Sequence, residues 1–590
     1  MEFDLIIQGG TVVDGSGAPR FTADIGIANG RIGKIGNLSR AAAAKRIDAA
    51  GLIVAPGSID IHSHYDAQLA WDPYCRSSGW HGVTSSVVGI CGFGFAPCKR
   101  TDEAHERYMR MMENTEQVPY AVMKKALPWS WETFPEWLDY LRSLPKGINI
   151  ATYLPMNPLL SYVVGADEAK RRPATAAERK QMRDILHEAM DAGASGFSFS
   201  HLGAEGNSHV DYDFTAMPAD VMAFEEAYNL ADVLRERGEG SVQALIEIQG
   251  MDLSKSVKER EFLEELARRA ERPIIHNMTS VDPAGPVFHR SVMRWLDDCA
   301  AKGLQVYSQA FSIRTWIQMR VAEYNAWDSV PIFREYSSAG LDGKLRLAKD
   351  PDFRRRMKEV YNEEEMGWAA GSLEDMRLIA VPGAPQLERN VGKTVRAIAA
   401  ESGQTVIDTF FDIVAATNLE AEFRPKSNDP NPDYYEEIFR HPRMVIGASD
   451  GGAHTKFFCG GYFPTDFLTW LVRDEKRFTI EEAHHMLAAK PARLFGLSDR
   501  GLLQEGKAAD IVIYDFEKLS FDHEKYGRLV DLPGGDWARA VIPRGIRFTI
   551  VNGEITHEDS VTTGAHPGKV LRGVGGSLPA ARPFTEMAAE

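Results

Sequence analysis

The sequence predicts an α/β protein with a TIM-type (β/α)8 barrel and a small β-sandwich domain built from both termini. Eight short β-rich segments alternate with helical stretches through the middle of the chain, as in repeated β/α units. Similar β-rich runs occur at both ends, and neither end has enough strands for a stable sheet of its own. No glycine-rich phosphate fingerprint follows a strand, so an open doubly wound sheet is the less favoured alternative.

The two ends of the chain supply the predicted sandwich. The N-terminal runs are DLIIQGGTVVDG, ADIGIANGRIGKIG and KRIDAAGLIVAPG, and the C-terminal runs are KAADIVIYD and RFTIVNGEITHED. Gly-Gly and Asn-Gly pairs separate these β segments as turns. We therefore predict a composite β-sandwich domain over residues 1–57 and 500–565, a barrel over 58–499 and a C-terminal tail over 566–590.

The middle of the chain supplies the barrel strands. They are predicted in GSIDIHSH, GVTSSVVGICGFG, INIATYLPMN, GASGFSFSH, SVQALIEIQG, PIIHNMTS, LQVYSQAF and RMVIGASDGGAH. Two connections, about 101–146 and about 313–441, are too long for simple βα loops. Long insertions at the catalytic face of a barrel are usually lids or pocket walls. The alternative is an insertion that packs on the outside or forms a subunit contact.

Composition limits the partners of this chain. Its 590 residues carry a net charge of −16, which argues against nucleic acid or an anionic membrane surface as a partner. No apolar run approaches the roughly 20 residues needed to span a bilayer, and the N-terminus lacks a signal-peptide pattern. Five scattered cysteines fit free thiols. We expect a cytoplasmic protein that acts on a small molecule, and a homo-oligomer is compatible with the sequence.

Potential metal ligands stand at the ends of four predicted strands. His62 and His64 leave the first strand on one face, because residues two apart on a strand point the same way. Cys91, His276 and Asp450 end the second, sixth and eighth strands. Taken singly, each residue has a plainer interpretation. The histidines could be hydrogen-bonded core or surface residues, Cys91 a small buried apolar residue, and Asp450 a turn residue. Together, these nitrogen, sulfur and oxygen donors predict a transition-metal site at the barrel mouth, with zinc as the favoured ion.

The sequence resembles a known family over nearly its whole length. The strand ends DIHSH and SDGGAH resemble the amidohydrolase superfamily. The runs HGVTSSVVGICGFGFAP, AAKPARLFGLSDRGLLQEGKAADIVIYD and TGAHPGKVLRG resemble its N-acyl-D-amino-acid deacylase (D-aminoacylase) branch. The resemblance implies hydrolysis of an amide bond with metal-activated water and one or two Zn²⁺ or similar ions. It implies that His62 and His64 bind one metal position, that Cys91 is a ligand shared with or adjacent to a second, and that His276 serves the second. It also implies that Asp450 is both general base and ligand.

The chain departs from that branch at three strand ends. The deacylases carry a histidine ligand in a THxR-like phrase after the fifth strand, whereas SVQALIEIQGMD has none. Glu247 could supply an oxygen donor there, or the second metal position is weak or empty. In the deacylases a lysine shortly after the sixth-strand histidine helps to hold the substrate carboxylate, whereas this chain has Met278 and no nearby lysine. His201 ends the fourth strand, where the deacylases are not expected to have a histidine. The candidate substrate contacts are His201, His454 and Lys456.

The expected function is metal-dependent hydrolysis of an N-acyl amino acid or a related small amide. The alternatives are a hydrolase of a cyclic amide, carbamate or lactone with the same site, and a non-catalytic metal-binding scaffold. A serine hydrolase is disfavoured because the sequence has no G-x-S-x-G motif.

Overall fold

The computed structural model describes most of the chain. The described residues are 2–204, 209–246, 253–281, 285–311, 314, 317–323, 331–363, 371–425, 430–458, 460–522 and 526–578. Among the helices in these ranges, none combines the length and the apolar character that crossing a bilayer requires.

Strands are distributed along the whole described chain. They are β1 (Glu2–Val12), β2 (Phe21–Ala28), β3 (Arg31–Gly36), β4 (Ala42–Asp48), β5 (Ile53–Pro56), β6 (Ser58–Asp60), β7 (His62–Ser63), β8 (Val83–Val88), β9 (Asn149–Thr152), β10 (Leu154–Pro155), β11 (Gly196–His201), β12 (Ser241–Ile246), β13 (Ile274–Thr279), β14 (Val306–Phe311), β15 (Met319–Arg320), β16 (Arg377–Ala380), β17 (Glu422–Arg424), β18 (Met444–Gly451), β19 (Ile511–Tyr514), β20 (Gly527–Leu532), β21 (Asp536–Ala540), β22 (Ile546–Val551), β23 (Glu554–Glu558) and β24 (Val561–Thr562).

The α-helices lie between β7 and β19. They are α1 (Arg76–Gly79), α2 (Asp102–Glu116), α3 (Tyr120–Ala126), α4 (Phe134–Ser143), α5 (Met156–Leu160), α6 (Ala166–Ala169), α7 (Ala176–Ala192), α8 (Phe224–Arg237), α9 (Leu253–Ala270), α10 (Val287–Ala301), α11 (Pro331–Ser337), α12 (Gly340–Lys349), α13 (Pro351–Val360), α14 (Val395–Ser402), α15 (Val406–Ala416), α16 (Pro432–Arg440), α17 (Phe463–Phe467), α18 (Ile480–His484) and α19 (Lys490–Phe495). Short 3₁₀ segments span Gln68–Ala70, Ala219–Val221 and Pro385–Asn390, and π-helical segments span Ser161–Gly165, Leu468–Asp474 and His485–Ala489.

Strands from the two ends of the chain share one sheet. Its order is β24-β23-β22-β19-β5-β1-β2-β3, with β4 paired to β1. The junction is the antiparallel pair β5–β19, in which Val54 lies opposite Ile513. Both residues are buried with Ile7, Ile25 and Ile550 in one apolar cluster. This burial joins the strands of the two chain ends in one apolar core.

Parallel strands occupy the middle of the molecule. One sheet has the order β10-β11-β12-β13-β14-β18-β7, and a second has the order β6-β8-β9. Ile61 separates β6 from β7, and Tyr153 separates β9 from β10, so the two sheets meet at consecutive segments of the chain. All eight strands predicted for the barrel are present, and their carboxyl ends lie on one side, where active sites of such folds are found.

The first long insertion contains three helices, of which α2 approaches the carboxyl ends of the strands. Thr101 caps its start by accepting a hydrogen bond from the Ala104 amide, as N-cap threonines do. The helix stops at Gln117, whose φ of 49° is left-handed. This turn directs the end of the helix toward the loop after β18, where the His454 amide donates to the Glu116 carbonyl at 2.5 Å.

The second insertion and the chain end have structure of their own. Strands β15, β17 and β16 form a small antiparallel sheet within the second insertion. Tyr336, Phe353 and Phe411 pack together between the helices of the second insertion.

The start of the predicted tail lies against β9: the Ile150 amide donates to the Lys569 carbonyl at 2.9 Å. Residues 566–578 are therefore part of the packed molecule.

Candidate metal centre

Three predicted ligands converge at the carboxyl ends of β7 and β8. The ligand atoms of His62, His64 and Cys91 all lie within 4.8 Å of one another, and all three side chains are buried. The Cys91 Sγ is 3.6 Å from the His62 Nε2. Two imidazoles and a thiol at this spacing match the donor types and the closeness that a tetrahedral zinc site requires.

Gln309, on β14, fixes the orientation of His62. The His62 Nδ1 lies 2.7 Å from the Gln309 Oε1, and the Gln309 Nε2 donates to the Ile61 carbonyl at 3.0 Å. The Gln309 Nε2 donates its hydrogen bond to a carbonyl. The Gln309 Oε1 must therefore accept a hydrogen bond from the His62 Nδ1. The His62 Nδ1 therefore carries a proton, and Nε2 faces Cys91 and Asp450, where it would bind a metal ion in place of a proton.

Asp450 completes the cluster from β18. Its Oδ1 is 3.0 Å from the His62 Nε2 and 3.9 Å from the His64 Nε2. Its side chain is 25% exposed, whereas those of His62 and His64 are 2% exposed. The backbone φ at Asp450 is 49°, a left-handed value that is rare outside glycine. Asp450 is thus the member of the cluster that contacts both the histidines and the open cleft.

Burial and nearby charges set the protonation of this cluster. Burial lowers the pKa of His64 well below its usual value. Burial also favours neutral His62, but Cys91 and Asp450 together raise the pKa of His62 well above its usual value. Burial raises the pKa of Asp450, yet the hydrogen bond and charge of His62 outweigh it and hold that pKa well below its usual range. The resulting ionised carboxylate beside two histidines provides favourable surroundings for a divalent cation.

Two carboxamides occupy the other side of the Cys91 sulfur. The Cys91 amide donates to the Gln243 Oε1 at 2.5 Å, which turns the Gln243 Nε2 toward Sγ at 3.7 Å. The Asn277 Nδ2 lies 3.8 Å from the same sulfur. Both side chains are buried. The thiol therefore faces N–H donors on this side, and N–H donors stabilise a thiolate without binding a metal.

Glu116 is a buried carboxylate that the sequence analysis missed. Its Oε2 lies 3.5 Å from the His64 Nε2 and 3.8 Å from the His454 Nε2. The His454 Nδ1 is hydrogen-bonded to the Gln117 Oε1. Burial raises the pKa of Glu116 well above its usual value. A signal was present in the sequence: a glutamate in the last turn of a helix opposes the helix dipole, so it needs another reason to be there.

The structure does not bring His276 into the cluster. Its Nε2 lies 3.1 Å from the Ile246 carbonyl, and its Nδ1 lies 3.2 Å from the Ser308 Oγ. A ring nitrogen that donates to a carbonyl carries a proton and is no metal ligand. The described contacts of the ring are with the neighbouring strands β12 and β14, and the ligand role of His276 stays a prediction.

The other predicted site residues lie at different distances from the cluster. The His201 ring faces α8 and α9, with Nδ1 3.3 Å from the Glu259 Oε1. His454 contacts Glu116, as described above, and so lies beside the centre. The Lys456 Nζ forms an ion pair with the Asp536 Oδ1 at 2.7 Å, on the rim of the cleft. Glu247 lies outside the described residues.

The residues present fit a zinc-like ion. The donor set combines imidazole nitrogens, a thiol and a carboxylate, which are the ligands zinc takes in proteins. The buried His64 Nδ1 has no hydrogen-bond partner among the described residues. Buried polar atoms are normally paired, so an unpaired nitrogen on one of the rings of this donor set is a feature that a bound ligand would explain.

Comparisons with known proteins identify the family of this chain. The amidohydrolase family profile matches residues 45–557, and the chain belongs to that family. The chain is 26% identical to D-aminoacylase of Alcaligenes xylosoxydans xylosoxydans over 576 residues, which cover 96% of this chain and 97% of that protein. The resemblance predicted from the sequence motifs is therefore confirmed.

Solved structures of two deacylases share the fold. A D-aminoacylase structure, described as having a binuclear metal centre, matches with a TM-score of 0.65 and 23% identity over 97% of this chain and 100% of the other. An N-acyl-D-glutamate deacylase of Bordetella bronchiseptica, complexed with zinc and a phosphonate inhibitor, matches with a TM-score of 0.64 and 24% identity. The match covers 97% of this chain and 100% of the other.

Proposed function

We propose that this protein is a zinc-dependent hydrolase that cleaves the amide bond of an N-acyl amino acid. The observation that supports this proposal is the convergence of His62, His64, Cys91 and Asp450 at the carboxyl ends of parallel strands, beside an open cleft. The amide-hydrolysing relatives supply the reaction type. The strand pairings support a closed (β/α)8 barrel with a composite β domain, with the domain limits predicted from the sequence.

Bound zinc lowers the pKa of a water molecule to about 7 and polarises a carbonyl group, which makes hydrolysis feasible at neutral pH. The protein then has to move one proton. Asp450 accepts a proton from the attacking water at its carboxylate and donates it to the leaving nitrogen. Its position between His62 and the cleft allows both transfers, because one oxygen faces the cluster while the side chain is 25% exposed. Gln309 holds His62 in the required tautomer throughout.

We further propose that one zinc ion suffices in this protein. The side of Cys91 that faces away from His62 is occupied by the amide groups of Gln243 and Asn277. His276, which would serve a second position by resemblance, is hydrogen-bonded through both ring nitrogens. A second ion at this thiol would require these groups to turn away and their buried hydrogen bonds to break. This arrangement favours a mononuclear centre over the binuclear one described for D-aminoacylase.

Metal content and substrate range test the two parts of the proposal separately. Elemental analysis of the purified full chain should give one zinc per protein, and Glu247→Ala should leave that stoichiometry unchanged. Removal of zinc with a chelator should abolish hydrolysis of N-acetylated amino acids, and added zinc should restore it. Two ions per chain, or loss of an ion in Glu247→Ala, would contradict the mononuclear centre. A metal-bound protein that cleaves only hydantoins or lactones would replace the assigned substrate, and undiminished activity without metal would overturn the mechanism.

A further inference from the structure

Arg539 lines the same cleft as Asp450. The cleft is bordered on one side by Asp450 and the loop that follows it, and on the other by the hairpin of β20 and β21, which carries Arg539. Trp71, Phe458 and Leu529 supply apolar surface between them. A ligand in this cleft would therefore lie between the proposed general base and a guanidinium group.

The backbone and one guanidinium nitrogen of Arg539 are firmly held. The Arg539 amide donates to the Thr455 carbonyl at 2.6 Å, and its Nε donates to the Lys456 carbonyl at 2.7 Å. Arg539 is only 4% exposed. These bonds fix the plane of the guanidinium, so little conformational entropy would be lost when it binds an anion.

The Nη2 of Arg539 is buried and has no hydrogen-bond partner among the described residues. The nearest carboxylate is Glu422, whose Oε2 is 3.7 Å away, beyond hydrogen-bond distance. Glu422 is itself held by Arg528 at one oxygen and by Gln318 at the other. Glu422 therefore has its own hydrogen-bond partners, and it forms an ion pair with Arg539 without accepting a hydrogen bond from Nη2.

Arg76 is the other cationic side chain that lines the cleft among the described residues, and it is fully engaged. Its Nε donates to Asp72 at 3.2 Å, and its Nη1 donates to Asp531 at 2.6 Å.

Arg539 keeps its charge in the cleft. Burial lowers the pKa of Arg539 to about 10, so its guanidinium remains charged at neutral pH. Arg539 is thus the cation in this lining with a donor available for an anionic ligand.

We propose that Arg539 binds the carboxylate of the substrate and so makes the enzyme selective for N-acyl amino acids over uncharged amides. This inference rests on the proposed function and assigns its specificity to one residue. A guanidinium and a carboxylate form charge-assisted hydrogen bonds, which are stronger than neutral ones. With the carboxylate at Arg539, the acylated nitrogen of the substrate would lie toward Asp450.

The test compares two ligands that differ only in the carboxylate. N-acetylleucine and N-acetylisopentylamine share the acetamide and the branched side chain. Binding is measured by calorimetry on the full zinc-loaded chain carrying Asp450→Asn, with and without Arg539→Gln. Arg539→Gln should weaken binding of N-acetylleucine on the order of 10- to 100-fold, the usual size of a hydrogen bond to a charged group. Binding of N-acetylisopentylamine should be unchanged.

Arg290→Gln is the control, because Arg290 pairs with Glu437 at 2.7 Å and does not line the cleft. It should leave the affinity for both ligands unchanged. Arg539→Lys keeps the charge but lacks the planar guanidinium, so its affinity for N-acetylleucine should be intermediate. This variant also tests the proposal if Arg539→Gln fails to fold.

Three results would overturn the proposal: equal binding of both ligands to the Asp450→Asn protein, an undiminished affinity for N-acetylleucine in both Arg539 variants, or an equal loss for both ligands. Hydrolysis by the wild-type chain is measured in parallel. If Arg539 governs carboxylate binding but no N-acyl amino acid is cleaved, the binding role stands and the proposed function fails.

Discussion

Gln309 accepts a hydrogen bond from the Nδ1 of His62 at 2.7 Å, although 247 residues separate the two in the chain. The same glutamine donates to the carbonyl of Ile61, the residue just before His62. One side chain thus holds both the ring and the backbone of a histidine proposed as a metal ligand. Partners of this kind fix the tautomer and orientation of a ligand and contribute strongly to metal affinity.

Gln309→Leu should weaken zinc binding about 10- to 100-fold, the range found when such a partner is removed. Leucine has a similar volume but cannot accept the proton of His62, so the ring can rotate and protonate at Nε2. Zinc affinity is measured by competition with a chromophoric chelator. Gln305→Leu, on the loop before β14, is the control and should bind zinc as the wild type does. Unaltered affinity in Gln309→Leu would show that the ring is held by other contacts.

Cys91→Ala should lower both zinc content and turnover. The thiol lies 3.6 Å from His62, and its loss leaves the centre with nitrogen and oxygen donors alone. Elemental analysis after dialysis measures the change. Cys98→Ala removes another buried thiol, whose Sγ contacts the Lys99 carbonyl, and should retain full zinc content. Equal zinc content in the two variants would make Cys91 a packing residue.

Asp450→Asn should retain the fold and the zinc affinity expected from the remaining ligands but lose about 10²- to 10⁴-fold in kcat. The amide is nearly isosteric with the carboxylate, but it cannot accept and return a proton. Steady-state kinetics and circular dichroism provide the two measurements. A kcat near the wild-type value would assign the proton transfer to another group, of which Glu116 is the nearest buried carboxylate to His64.

His81 should make the protein less stable in acid. Burial lowers the pKa of His81 to about 4, whereas the unfolded chain has the ordinary value of 6.5. Between these values the unfolded state binds the additional proton, so stability is complete above pH 6.5 and decreases as the pH falls toward about 4. A shift of this size corresponds to about 3 kcal/mol at most.

Replacement by glutamine should remove this contribution. The Nδ1 of His81 contacts the Thr465 Oγ1 and its Nε2 contacts the Val541 carbonyl, which a neutral amide can partly replace. The difference in melting temperature between about pH 7 and about pH 5 should therefore be smaller in His81→Gln than in the wild type. His187→Gln, at a half-exposed position, should show the wild-type difference. An unchanged difference in His81→Gln would mean that other buried groups control acid stability.

The alternation of β and α segments predicted the strands correctly, because local patterns of apolar residues depend on short-range sequence. His62, His64, Cys91 and Asp450 could also be predicted, since each ends a strand and the ends of parallel strands meet on one side of the sheet. The family resemblance is confirmed by the profile match to residues 45–557. Glu247 and the predicted domain limits stay predictions.

The ligand role of His276 stays a prediction, and the contacts of its ring show what the sequence alone could not give. Its place at a strand end is the same as that of the ligands, but the ring direction depends on the partners that adjoining strands offer. Here the Ile246 carbonyl and the Ser308 hydroxyl take both nitrogens. Sequence spacing gives the strand and the face of a side chain, and it contains no information on which hydrogen bonds the neighbouring strands present.

The proposed ligands of the centre could be predicted from the sequence because each follows its own strand, and the local pattern places a polar residue after an apolar run. Glu116, Gln309 and Arg539 could not, because they reach the cleft from a helix, a distant strand and the C-terminal hairpin. Their roles depend on long-range packing, which brings together segments that share no local pattern. The chemistry of the centre is thus encoded locally, whereas the tautomer of His62 and the charge that faces the substrate arise only when the whole chain is folded.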